Sequence, residues 1–121
     1  MFEQDYIMRI IREMVRTILK LLFNIDTEFP DVQMLENKES IETAEKLIKM
    51  VDDGMINDAE NYLYDIIEDK TNDNLLLGLI FYSYLNEMDE KFLSDNDFSQ
   101  DEVKEGLEYL LSIYGVEELV L

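Results

Sequence analysis

One proline and four glycines are all that interrupt this 121-residue chain, and between them the apolar residues return every three or four positions. That spacing belongs to helices buried on one side; strands would alternate apolar and polar residues. From Asp5 to Phe23 there is neither Gly nor Pro. Ile7, Ile10, Ile11, Met14, Ile18, Leu21 and Leu22, together with Met8, Val15 and Leu19, sweep an arc of about 180°, wider than the ~100° stripe of an ordinary surface helix. An arc that wide needs two neighbours: two helices of its own chain, a helix from a second chain, or a membrane surface. Arg9, Arg12, Arg16 and Lys20 fall on the opposite side.

The remaining chain divides in the same way. Residues 25–38 hold the proline and no clean period, and read as a connection with a helical turn after Pro30. Ile41, Ala44, Leu47, Ile48 and Val51 predict a helix from about Glu39 to Asp52, with Gly54 as its stop. A second helix opens at Met55 or Asn57 and runs to Glu68, so 39–69 is an antiparallel hairpin. Residues 73–115 repeat the plan. Leu75–Met88 is a nearly unbroken apolar run and is expected to be the most buried helix. Ser94–Ser99 is expected to be a polar loop, Ser99 with Glu102 forms a capping box, and Gly115 ends the last helix. Glu118–Leu121 is the only segment read as potentially extended. The expectation is a single all-α domain over 1–121 with about five helices: a basic-striped amphipathic helix in 1–24, the connection, and the two hairpins.

Two resemblances accompany these patterns. Ala44, Leu47, Gly54, Ala59, Leu63 and Ile66 resemble a tetratricopeptide-type hairpin, in which a small residue lets two helices approach. Leu77-Gly78, Phe81, Gly106 and Leu110 resemble the plan a second time, so that 40–113 is expected to stack as a tetratricopeptide-like array. The opening Met1-Phe-Glu-Gln-Asp-Tyr-Ile-Met-Arg9, with Glu13-Met-Val-Arg16 and Leu19-Lys-Leu-Leu-Phe23, resembles an uncharacterised family of small, acidic, all-helical bacterial proteins. That resemblance implies a self-standing helical protein and carries over no catalytic residues.

Composition narrows the chemistry. There is no Cys, no His and no Trp, which removes disulfides, thiol nucleophiles, histidine-based triads and His- or Cys-ligated metals. Carboxylates are what remain, but Asp52/Asp53, Asp65/Glu68/Asp69 and Glu117/Glu118 are spacings that twenty-nine acids produce by chance, and they read as solvated faces. Asp95, Asp97, Ser99 and Asp101 match four ligand positions of an EF-hand loop, yet Gln100 stands where the loop needs Gly and Gly106 where it needs the bidentate Glu. No metal, cofactor or catalytic residue is therefore assigned.

Charge separates the first helix from the rest. Residues 1–25 carry four basic and three acidic residues, net +1, whereas 26–121 carry six basic and twenty-six acidic, net −20, summing to −19. A surface that acidic is not expected to bind nucleic acid directly, because phosphate contacts need a basic face. The missing cysteines and the acidic opening fit a cytoplasmic protein. The function expected is a non-enzymatic interaction or scaffold module, partnered by another protein or by a second copy as a homodimer. Its candidate interface is Ile7, Ile11, Met14, Ile18 and Leu22, bordered by Arg9, Arg12, Arg16 and Lys20, with Tyr64 as a separate aromatic contact. The alternatives are a peripheral membrane-surface protein anchored by helix 5–23, which the acidic remainder disfavours at anionic lipid, and, last, a carboxylate-only metal enzyme.

Overall fold

The computed structural model describes residues 2–121, with side chains from Asp5 onward; Met1, at the head of the expected 1–24 segment, lies outside them. Six α-helices follow in chain order: α1 (Phe2–Phe23), α2 (Lys38–Asp52), α3 (Ile56–Ile66), α4 (Asn72–Asn86), α5 (Glu90–Asp95) and α6 (Gln100–Ile113). Short 3-10 turns occupy Val32–Met34 and Glu117–Val120, and the described residues form no strand. The molecule is all-α, and five of its six helices are long.

Helix starts are set locally by side chains that accept a backbone N–H left over at the first turn. Asn37 caps α2, Thr71 caps α4, Asp89 caps α5 and Ser99 caps α6, while Asp31 opens the 3-10 turn just after Pro30. Helix ends follow one rule four times. Asn24, Gly54, Asp97 and Gly115 all have positive φ, and the N–H of the apolar residue after each one reaches back to a carbonyl five residues earlier, or six in the case of Ile25. The bonds are Ile25 to Leu19, Met55 to Met50, Phe98 to Leu93 and Val116 to Leu111, all 2.9–3.1 Å. A left-handed residue followed by an apolar one satisfies the free carbonyls and turns the chain back onto the core. Gly54 and Gly115 are legible as such stops; Asn24 and Asp97 are the two non-glycine residues that tolerate the conformation through their short polar side chains.

Two sequence expectations change here. The segment before Ser99 is not simply a polar loop: residues 90–95 form α5, held by the Asp89 cap and by Leu93, which is fully buried. Glu118–Leu121 is not extended, because Glu117–Val120 coils into a 3-10 turn packed against α1.

α4 occupies the centre, packed against α1, α2 and α6, and eleven of its residues are buried. That explains its unbroken apolar run, since a helix covered on every side has no polar face. α2 pairs with α3 as the expected hairpin, and α1 lies across α4, α6 and the C-terminal turn. α4 and α6 approach closely through two glycines set into each other's neighbours: Gly78 lies under Leu110, and Gly106 under the ring of Tyr82. Polar ties join the layers. Asp73 accepts the N–H groups of Glu36 (3.3 Å) and Asn37 (2.9 Å), locking the start of α4 to that of α2, and buried Asn86 donates to the Met8 carbonyl of α1 at 3.0 Å.

Candidate interaction surfaces

The wide apolar arc of α1 finds its two neighbours within the chain. Ile11, Met14, Val15, Ile18 and Leu19 are buried in the single core, covered by α4 on one flank and by α6 and the C-terminal turn on the other. Of the residues read from sequence as a docking face, Ile11, Met14 and Ile18 therefore belong to the interior, Ile7 is half-buried against it, and Leu22 alone is exposed. The physical reason is that the arc records only that the face must be covered, and the chain's own helices reach it first.

The basic stripe is also divided. Arg12 donates two parallel hydrogen bonds to Glu87 at the end of α4, Nε to Oε2 at 2.9 Å and Nη2 to Oε1 at 2.6 Å, and its guanidinium lies 5.4 Å from the Phe29 ring centroid. This forked pairing, with the charge of Glu87, holds the guanidinium pKa above its ordinary value. Arg16 pairs with Asp26 at 2.8 Å, and its hydrogen bond and charge hold that carboxyl below the usual range. Arg9 and Lys20 are exposed, and among the described residues neither has an ion-pair partner.

Besides Leu22, Arg9 and Lys20, α1 presents outward two large side chains that the candidate interface does not include. Tyr6 is 61% and Leu21 58% exposed. Fifteen residues apart, they sit only about 60° from one another around the helix. Tyr6, Ile10, Met14 and Thr17 line a groove of about 620 Å³ together with Arg9, Arg12, Glu13, Glu28 and Val120 of the C-terminal turn. The available signal was Tyr6 itself, an aromatic at the edge of the arc whose hydroxyl tolerates water.

Tyr64 lies elsewhere, on α3. Its ring meets that of Tyr109 edge to face, with centroids 5.5 Å apart, and its hydroxyl lies 3.2 Å from that of Tyr82. The fully buried Tyr82 spends its proton on Glu60 Oε2 at 2.6 Å, so the Tyr64 hydroxyl is the donor to Tyr82. Burial, then the charge of Glu60, pushes the Tyr82 pKa far above its ordinary value of 10.0; burial also raises that of Tyr64. Tyr84, beside Asp52, and half-buried Tyr114 are both pushed up to about 12.

These shifts share a sign. A tyrosine whose folded pKa lies above its unfolded one contributes stability that is complete below about pH 10 and is lost as pH rises further, because the unfolded chain releases the proton first. The melting temperature is expected to fall steeply from pH 10 upward, and less steeply in Tyr82→Phe. Equal slopes in the two proteins, followed by circular dichroism between pH 8 and 11.5, would show that Tyr82 is not the group responsible.

Among the described residues, no three His, Cys, Asp or Glu side chains are grouped so as to hold a metal ion. The EF-hand-like stretch is split between two helices: Asp95 closes α5 and pairs with Lys91 at 2.8 Å, Asp97 is the left-handed residue, and Asp101 stands in the first turn of α6. Among the described residues no helix is long and apolar enough to cross a membrane.

A family model matches residues 1–115, that of the family of unknown function DUF6483. The chain belongs to this family. The match takes in all six helices and ends at Gly115, the left-handed stop of α6, so the resemblance of the opening residues to an uncharacterised helical family extends over nearly the whole chain. No curated protein and no solved structure matches the chain.

Proposed function

We propose that this DUF6483 chain is a non-enzymatic, cytoplasmic protein-interaction module, its helical hairpins stacked in tetratricopeptide-like fashion, which self-associates through the outward face of α1. The observation that carries the reading is the pairing of Tyr6 and Leu21, two large exposed side chains on one side of α1, beside a groove and two outward cations. Residues 1–25 also carry a net charge of +1 against −20 for the rest of the chain, so a second copy approaching α1 meets less repulsion than one approaching the acidic remainder. A two-fold axis across the middle of α1 would set Tyr6 of each copy near Leu21 of the other, the self-complementarity that an isologous contact requires.

Light scattering at tens of micromolar is expected to give the mass of a dimer for the wild type and that of a monomer for Tyr6→Glu combined with Leu21→Glu. Both side chains are more than half exposed, so the double variant should keep the wild-type melting temperature. A monomeric wild type would remove self-association, and a wild type that also binds anionic lipid vesicles would move the reading to the membrane surface.

A further inference from the structure

A second open surface lies on the other side of α4. α3 leans on α2 and α6 leans on α4. Between α3 and α6 two adjoining cavities, of about 240 and 670 Å³, share Tyr64 as a common wall. Helical spacing places Glu60, Tyr64 and Ile67 along one bank and Glu102, Tyr109 and Ile113 along the other. From Glu102 to Ile113 the groove runs three turns, about 16 Å. Beneath it Tyr82 holds both banks, by its hydroxyl to Glu60 and Tyr64 and by its ring against Gly106, where a side chain would fill the space. The edge-to-face pair of Tyr64 and Tyr109 stands at the midpoint, and Tyr109 is 54% exposed.

The groove has apolar and aromatic residues at its centre and acids on its rims: Glu60, Glu68, Glu102 and Glu105 against one cation, Lys70. An occupant must therefore bring apolar anchors for the tyrosine pair and positive charge for the rims. We propose that the groove docks a basic amphipathic helix from a partner protein. Its apolar residues at i and i+4 straddle Tyr64 and Tyr109, and its Lys or Arg side chains reach Glu60, Glu102 and Glu105 or lie over a tyrosine face. This surface is distinct from the outward side of α1 and does not depend on self-association.

The test uses a fluorescein-labelled amphipathic helical peptide of leucine and lysine, titrated with the full chain at physiological salt and read by anisotropy. Saturable binding is expected, weakened roughly tenfold by Glu102→Lys with Glu105→Lys and to a similar degree by Tyr109→Ala, as for a central aromatic anchor. All three residues are exposed, so the variants should melt like the wild type. The control is Glu42→Lys with Glu45→Lys on the solvent face of α2, which changes net charge equally and should shift affinity less than about twofold. The proposal is overturned if the peptide does not saturate, or if the α2 pair weakens binding as much as the α6 pair. It is also overturned if the α6 pair dissociates a wild-type oligomer, which would make the occupant a second copy.

Discussion

Ile18→Glu is expected to unfold the protein at room temperature. Ile18 has no solvent exposure and sits where α1 is covered by α4 on one side and α6 on the other. A carboxylate placed there finds no cation, so it either stays charged without a partner or takes up a proton at a pKa far above its normal one; both cost several kcal/mol. The cavity left by the lost isoleucine adds to this, since Ile→Ala alone at such a site costs about 2–5 kcal/mol. A domain of this length has only about 5–15 kcal/mol of stability to lose. Loss of the helical circular dichroism signal and of cooperative melting is the expected result for Ile18→Glu, and more completely for Ile11→Glu with Ile18→Glu. A folded, cooperative Ile18→Glu protein would place the buried face of α1 outside the core. The contrast with Tyr6→Glu and Leu21→Glu, on the same helix and expected to leave the fold intact, separates a core face from a docking face by one measurement.

The crossing of α4 and α6 is expected to respond almost as strongly, and with a diagnostic sign. In an uncrowded helix, Gly→Ala stabilises by about 1 kcal/mol because alanine loses less backbone entropy. Gly106→Ala should instead destabilise by about 1–3 kcal/mol, since its Cβ would fall within 2.6 Å of the Tyr82 Cζ and hydroxyl. That ring cannot swing aside: it is fully buried and its hydroxyl is engaged by Glu60 and Tyr64. Gly78→Ala meets the end of the Leu110 side chain, which is flexible, so a smaller loss is expected. In a Leu110→Ala background the same Gly78→Ala change should become neutral or stabilising, a coupling that a double-mutant cycle in urea measures directly. Stabilisation by Gly106→Ala in the otherwise native chain would mean that the helices do not cross as closely as described.

Much of the fold was legible because its signals are local. Ser99 declares a helix start, Gly54 and Gly115 declare stops, and the three-and-four spacing of Ala44, Leu47 and Val51 declares which side is buried. α5 escaped notice because six residues are too few to show a period, and its single fully buried anchor, Leu93, looks like any leucine beside a polar run. Asn24 and Asp97 escaped because their left-handed conformation is permitted by their side chains but not demanded by them.

The candidate surfaces were less legible, for a different reason. Periodicity identifies which side chains of α1 must leave water, but not whether the chain itself or another molecule covers them. That choice depends on where α4 and α6 lie, and contacts such as Arg12 with Glu87, seventy-five positions apart, leave no mark on local spacing. Tyr64 reads from the sequence as an aromatic partner contact, yet the groove it shares with Tyr109 exists only because Gly106 lets the buried ring of Tyr82 lie between two helices distant in sequence. By itself the sequence determined an all-helical chain, the limits of its five long helices to within a few residues, and a set of side chains too poor for histidine or cysteine chemistry. Tertiary structure alone decided that α1 is an interior helix whose opposite edge faces outward, and that α3 and α6 leave an acidic, aromatic groove open. Secondary structure answers to neighbours three and four residues away; burial answers to the summed packing of the whole chain.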